Sequence, residues 1–362
     1  MGKNQKSVLV TGSSGLIGSE AVLFFDRLDW KVGGIDNNLR KHFFGKEGDT
    51  SWNLERLMKE AKNFEHHSLD IRNRKDIFEF FQARKFDLII HCAAQPSHDF
   101  AKQDPFLDFD VNAVGTLNLL EAFRLHSPKA VFIHMSTNKV YGDAPNELPL
   151  VELESRWDYL RKEDNEGIDE TMRIDRSKHS LFGASKVASD IMAQEYARYF
   201  GLSIGIFRGS CLTGPNHSGA ELHGFLAYLV KAAVQDIEYR IFGYKGKQVR
   251  DQLHSHDVIT AFYEFYKNPK PGEVYNLGGG RANSASVLEA IRKLEKILGR
   301  KIKSVYIDQN REGDHICYIT NMKKFKSHFP NWKVSRPFDE ILREIWGTQS
   351  RLKGNPFAPS HE

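Results

Sequence analysis

The sequence predicts an α/β protein: a doubly wound parallel sheet followed by a smaller C-terminal lobe that binds a ligand. Three observations carry this. Short apolar, β-branched runs alternate strictly with amphipathic helical patterns through the first two hundred residues. That order implies right-handed crossovers and a parallel sheet covered on both faces. A glycine triplet directly follows the first run and opens the first helix, and beyond residue 210 the rhythm gives way to irregular chain with Gly, Pro and aromatic residues.

Strands are predicted over 7–11, 31–36, 65–70, 88–92, 131–137 and 203–208. Between them, 16–28, 75–84, 110–126 and 182–200 show helical periodicity, with Gly201 as the natural stop of the last. Residues 38–63 are polar and charged and read as a surface loop, while 143–179 form a charged insertion too long for an idle connection. The expected division is a nucleotide-binding domain over 1–208, a second lobe over 209–345 with some segments returning to the first, and a loose tail over 346–362.

The 362 residues are 40% hydrophobic and 27% charged, as in a soluble globular protein. No apolar run approaches the ~18 residues of a membrane span, so no membrane association is expected. The chain enters its first strand at once, which reads as the absence of a signal peptide. Three cysteines, Cys92, Cys211 and Cys317, lack metal or redox spacing and fit a reducing cytoplasm. A net charge of +4 is mild and spread along the chain, arguing against a nucleic-acid partner. The histidines at 66, 67, 254 and 256 come without a carboxylate or cysteine constellation, so no metal site is expected.

The stretch V-T-G-S-S-G-L-I-G places Gly12, Gly15 and Gly18 between the first strand and the first helix, with Leu16 and Ile17 inside the turn. Small residues there let a pyrophosphate approach the backbone N–H groups of a helix N-terminus, the arrangement of a Rossmann-type domain. A plain tight turn is the bland alternative. Asp36 ends the second strand, where a carboxylate can accept both ribose hydroxyls of NAD and repel a 2′-phosphate. Asn37 adjoins it, and Arg40 lies close enough to keep NADP open; NAD is the favoured cofactor.

The Gly-x-x-Gly-x-x-Gly spacing resembles the extended short-chain dehydrogenase/reductases. Asp70-Ile71 resembles that family's adenine contact, His91-Cys92-Ala93-Ala94-Gln95 the segment beneath its cofactor, and Asn112 its helix asparagine. Each alone could be ordinary packing; their joint order makes the resemblance. In S-T-N-K-V-Y-G-D, 136–143, Thr137 takes the place of the family's hydroxyl that bonds the reacting sugar oxygen. Where the 4,6-dehydratases carry Asp and Glu, this chain has Asn138 and Lys139, so water elimination by that acid–base pair is disfavoured. Phe182-x-x-x-Lys186 stands where the family has Tyr-x-x-x-Lys, whose ammonium stabilises a catalytic phenolate one helical turn away. Lys247, Arg250, Arg311 and Asp314 resemble the nucleotide-diphosphate contacts, and Arg208 could join them.

Most of the chain, including the insertion, resembles the CDP-paratose 2-epimerase family. The resemblance implies NAD-dependent epimerisation of a nucleotide-diphospho-sugar at C2 of a CDP-linked hexose, through a transient ketone. It further implies a cytoplasmic homodimer serving lipopolysaccharide or polysaccharide biosynthesis. Two departures stand out: Leu181-Phe182 replaces Pro-Tyr, and 209–214 differs from the family's version. Three readings of Phe182 remain open at this level. Another group serves as base, with Tyr141, His179, Ser180, Cys211 and Lys139 nearest in sequence; an active epimerase with such a relocated, or a Thr137-assisted, proton relay is the favoured reading, and a dehydratase or 4-epimerase using a different base is an alternative to it. Alternatively the protein binds NAD and a nucleotide sugar with little catalysis, or the residue is an engineered Tyr→Phe change.

Overall fold

In the computed structural model, which describes residues 5–221, 223–311 and 313–352, the chain divides into two units. The first comprises 1–140, 180–208 and 258–275. Its seven-stranded sheet has the order Val274–Leu277, Ile204–Gly209, Val131–Thr137, Leu88–His91, Ser7–Thr11, Lys31–Ile35, Phe64–His67. Ser7–Thr11 pairs in parallel with Lys31–Ile35 on one side and Leu88–His91 on the other. Lys31–Ile35 pairs in parallel with Phe64–His67, and Leu88–His91 with Val131–Thr137. Val8, Leu9, Val10, Leu88, Ile89 and Ile90 are fully buried, which is why these strands read as unbroken apolar runs rather than alternating ones. The strand order reverses at Ser7–Thr11, and the carboxyl ends beside such a reversal are where doubly wound sheets bind ligands.

The helix Leu181–Phe200 shows how sequence sets this unit. Ser180 caps its N-terminus by accepting a hydrogen bond from the Gly183 N–H at 3.1 Å. Gly201 ends it in the left-handed conformation, φ 64°, at little steric cost to glycine. Phe182, Lys186, Ser189, Asp190, Ala193 and Ala197 lie on its buried face, so its polar residues enter the interior on a helical period.

Two expectations are corrected here. The stretch 38–63 holds the helices Arg40–Phe44 and Ser51–Glu60 rather than a plain loop. Ser51–Glu60 buries Leu57 and Asn53, and the Asn53 side-chain amide donates to the Ser14 carbonyl at 2.8 Å. Tertiary anchoring of this kind, not local propensity, stabilises short polar helices. The stretch 110–126 is also not one regular helix: a π-helical turn, Asp110–Val114, precedes Gly115–His126.

The second unit comprises 141–179, 209–257 and 276–362, so the insertion belongs to it and not to the first domain. Val249–His254 pairs antiparallel with Ser284–Ser286 and in parallel with Cys317–Tyr318 and Cys211–Thr213. Phe225–Gln235, Val287–Leu298 and Phe338–Leu352 contribute Leu229, Ile291, Leu294, Ile341 and Ile345 to a second core. The insertion forms a hairpin, Leu150–Glu152 with Trp157–Tyr159, and is sewn in by Trp157 N–H to the Lys247 carbonyl at 2.8 Å and Ile168 N–H to the Ile319 carbonyl at 2.8 Å. Trp346 does not begin a loose tail. The helix continues through Leu352 with Gly347 and Ser350 buried, because the apolar face set by Ile341, Leu342 and Ile345 still packs there. Residues 353–362, the rest of the expected tail, lie outside the described residues, as does Glu312 beside Arg311 and Asp314.

Candidate active site

At the end of Ser7–Thr11, Gly12 adopts φ 69°, and a Cβ there would lie 2.8 Å from the Ala93 nitrogen. A Cβ on Gly18 would lie 2.0 Å from the Gly12 carbonyl oxygen. Both positions therefore require glycine. Gly15 precedes the helix Leu16–Arg27 and offers no side-chain cap, so the first-turn N–H groups of Leu16 and Ile17 face the loop without a side-chain acceptor. The buried hydroxyls of Ser13 and Ser14 have no hydrogen-bond partner among the described residues. Uncapped donors, orphan hydroxyls and a loop with no room for a Cβ at Gly12 or Gly18 fit the pyrophosphate of a dinucleotide.

The carboxylate that follows is held in place. Asp36 accepts from the Ser14 N–H at 2.9 Å and the Asn38 N–H at 2.7 Å. Asn37 donates to Asp70 at 3.2 Å, and Arg72 grips Asp70 through Nε and Nη2 at 3.0 and 2.6 Å. Ile71 is buried. Arg40 lies over the Phe44 ring, 4.6 Å from its centroid.

Behind the loop, His91 receives a hydrogen bond from the Thr11 hydroxyl at Nδ1 (2.7 Å) and donates through Nε2 to Thr116 (2.9 Å). The Thr116 hydroxyl is itself committed to the Asn112 carbonyl at 2.7 Å, which fixes that tautomer. Burial, then the Lys186 charge, lowers the His91 pKa to about 3; it is a neutral spacer. Asn112 lies in the π turn, where its Oδ1 accepts from the Gln95 N–H at 2.9 Å. Its Nδ2 donates to the Gln95 carbonyl, Asp108 and Ser185, each at 3.0 Å. Asn112 thus positions the segment Ala93, Ala94, Gln95 and ties it to the helix that carries Lys186.

Thr137 ends its strand with Oγ1 accepting from the Lys139 N–H at 3.2 Å, and lies within 3.5 Å of the Asn138 side-chain oxygen. The strand end is locked by Asp190, which accepts from the Ser136 hydroxyl at 2.6 Å and from Arg208 at 3.0 and 2.8 Å. The Arg208–Asp190 pair is 5% and 0% exposed, so Arg208 joins three elements inside the unit. Lys186 is 3% exposed and donates to the Met135 carbonyl at 3.1 Å. Burial lowers its ammonium pKa to about 8, with Asp190, Cys92 and Asp108 acting in opposition. Phe182 is 6% exposed, one helical turn before Lys186. Its ring meets the imidazole of His98 edge to face, with centroids 4.9 Å apart. His98 Nδ1 lies 2.6 Å from the Ser180 hydroxyl. Sequence reasoning named Ser180 and missed His98; the signal was its place three residues after Gln95.

In the second unit, Arg250 lies on Val249–His254 and is 8% exposed, with Nη1 on the Val249 carbonyl at 2.7 Å and Nη2 3.3 Å from Asp314. The Asp314 N–H donates to the Arg311 carbonyl at 3.4 Å, so these three residues form one cluster. Lys247 instead bonds Glu152 at 2.8 Å and the Leu153 carbonyl at 2.9 Å, anchoring the insertion. Among the alternative bases proposed from sequence, the Tyr141 hydroxyl is buried and donates to Asn276 at 2.7 Å, and His179 Nδ1 lies 2.9 Å from the Ser177 carbonyl. Lys139 stays beside Thr137, and Cys211 starts the strand Cys211–Thr213. The described residues contain no group of three or more His, Cys, Asp or Glu suited to a metal ion, and no helix among them is long and apolar enough to cross a membrane.

A glycine cradle, a carboxylate just past the second strand and a buried Lys on the carbonyl two residues before Thr137 are the features of a dinucleotide-binding enzyme. The chain belongs to the NAD dependent epimerase/dehydratase family, whose model matches residues 8–278. It is 32% identical to CDP-paratose 2-epimerase of Salmonella typhi over 88% of this chain and 91% of that one. It is 27% identical to UDP-glucose 4-epimerase 4 of Oryza sativa over 97% and 91%. The fold also matches a tyrosine-to-phenylalanine mutant of UDP-glucuronic acid 4-epimerase from Bacillus cereus in complex with UDP-4-deoxy-4-fluoro-glucuronic acid and NAD. That match has a TM-score of 0.76 and 25% identity, covering 96% of this chain and 99% of that one. The protein is therefore an NAD-dependent nucleotide-sugar epimerase/dehydratase.

Proposed function

We propose that the protein epimerises a CDP-linked hexose at C2. The observation that carries this is the 32% identity to a CDP-paratose 2-epimerase over nearly the whole chain, with Thr137 and Lys186 held in one unit by the Asp190 lock. NAD, when bound, supplies the two-electron acceptor that returns the hydride. The chain's own part is to bind and to manage the proton. Gly12, Gly15, Leu16 and Ile17 receive the pyrophosphate, while Asp36, with Asn37 and Arg40 beside it, takes the ribose hydroxyls. Asp70 and Ile71 border the adenine, and Ala93, Ala94 and Gln95, held by Asn112, line the floor. Thr137 donates a hydrogen bond to the reacting oxygen, and the Lys186 ammonium stabilises negative charge developing on it. Arg250 and Arg311, the latter beside Asp314, grip the diphosphate, with Lys247 holding the adjoining hairpin and Asn138 facing the sugar. Arg208 supports Thr137 and Lys186 through Asp190 rather than touching phosphate. A homodimer in the cytoplasm that feeds polysaccharide synthesis fits this reading.

A second reading, a protein that binds the same ligands without turnover, rests on Phe182 alone. Incubation with CDP-, UDP-, GDP- and dTDP-linked hexoses, followed by NMR of the sugar, separates the two. Inversion at C2 with little solvent deuterium entering that carbon is expected. Deuterium at a neighbouring carbon would move the assignment to a dehydratase or an enolising isomerase.

A further inference from the structure

An epimerase needs a group to take the proton of the alcohol it oxidises, and position 182 carries only a hydrocarbon ring. We propose that Ser180 and His98 form the proton relay that substitutes for the missing hydroxyl; this rests on the epimerase reading above. Ser180 precedes Phe182 by two residues and sits at the mouth of the same helix. Its Oγ accepts the Gly183 N–H at 3.1 Å, and the positive end of the helix dipole favours negative charge there. The same oxygen lies 2.6 Å from His98 Nδ1, a serine–histidine contact of the kind that activates a hydroxyl. The imidazole is packed edge to face on Phe182 at 4.9 Å between centroids, which places it one ring contact from the volume a phenol would occupy.

The relay is rigidly mounted. Ser97 caps the helix His98–Gln103 by accepting the Phe100 N–H at 3.1 Å. The Ser97 carbonyl accepts from Gln95 Nε2 at 2.8 Å, and Gln95 is fixed by Asp108 at 2.6 Å and by Asn112. Three competing groups of the same unit are unsuited. Burial raises the Cys92 thiol pKa to about 12, lowers that of His91 to about 3, and leaves Lys186 protonated below about pH 8. The sugar O–H bond breaks and its proton passes to Ser180 Oγ, while the serine's own proton passes to His98 Nδ1, giving imidazolium. The C–H bond at the same carbon releases hydride with both electrons to NAD, and the carbon–oxygen double bond forms. Hydride return to the other face reverses each transfer, so no outside oxidant or base is consumed.

The test uses the full chain with NAD and its nucleotide-sugar substrate. His98→Gln, with His98→Asn as a second variant, is expected to lower kcat by ~10²–10⁴-fold. Affinities for NAD and CDP, measured by calorimetry, should stay at wild-type values. Phe182→Tyr in the His98→Gln background should restore at least about tenfold of the lost rate, because Lys186 lies one turn away to stabilise the phenolate. The relay is overturned if His98→Gln keeps kcat within about threefold, or if Phe182→Tyr raises wild type and variant by the same factor. Loss of NAD affinity in both His98 variants overturns it in favour of a structural role. A wild type that neither turns over nor reduces its nicotinamide with any of the four nucleotide hexoses overturns the epimerase reading together with the relay.

Discussion

Lys186→Met isolates the electrostatics at the centre of the site. Lys186 is 3% exposed, and burial lowers its ammonium pKa from 10.5 to about 8. The sign follows from linkage. Below about pH 8 the group is protonated in both states, and the native state bears the full cost of burying the charge. Between about 8 and 10.5 the unfolded chain keeps a proton that the native chain has released, so stability rises with pH across that window. The total is 10.5 − 8, about 2.5 pK units, or ~3 kcal/mol at ~1.36 kcal/mol per unit. Met fills a similar volume without a charge and has no such dependence. Urea unfolding of wild type and variant, both free of cofactor, at about pH 7 and about pH 10 cancels every other titrating group. The wild-type stability minus that of the variant should climb by ~2.5 kcal/mol between the two pH values. A change below ~0.5 kcal/mol would refute desolvation of the Lys186 charge.

Asp36→Ala should weaken NAD binding by ~1.5–3 kcal/mol through loss of a charge-assisted contact; calorimetry measures it, and NADP as the main dinucleotide released on denaturation would contradict the argument. Arg250→Ala should weaken CDP, UDP, GDP and dTDP about equally, since a phosphate contact does not read the base; a loss confined to one nucleotide counts against it. Arg208→Ala leaves Asp190 buried without its cation and should cost ~3–5 kcal/mol of stability. Denaturant unfolding would show this, and a loss below ~1 kcal/mol would mean that the pair does not hold the strand end.

Much of this architecture could be read from local pattern. The runs at 7–11 and 131–137 match observed strands residue for residue, because strands buried on both faces leave continuous apolar signatures. The helix over 182–200 was equally plain, bounded by Gly201. The helix at Ser51–Glu60 was passed over although Leu54, Leu57 and Met58 keep a helical spacing, because the polar and charged residues around them dominate the stretch and only Leu57 and Asn53 are buried. The same holds for the C-terminal boundary: Gly347 and Ser350 are buried although neither looks like a core residue.

By itself the sequence determined the family, the doubly wound sheet, the glycine cradle and the substitution of Phe182 for a phenol, since each is written in adjacent or evenly spaced residues. Only the tertiary structure decided that Arg208 belongs with Asp190 and Ser136, that Asn112 clamps Gln95 to Ser185, and that His98 lies against Phe182 and Ser180. Those pairs stand 18, 54, 17, 73, 84 and 82 positions apart. Spacing along a chain reports which residues share a helix face or a strand; it carries no record of which face another element, folded back by the sheet order, will meet.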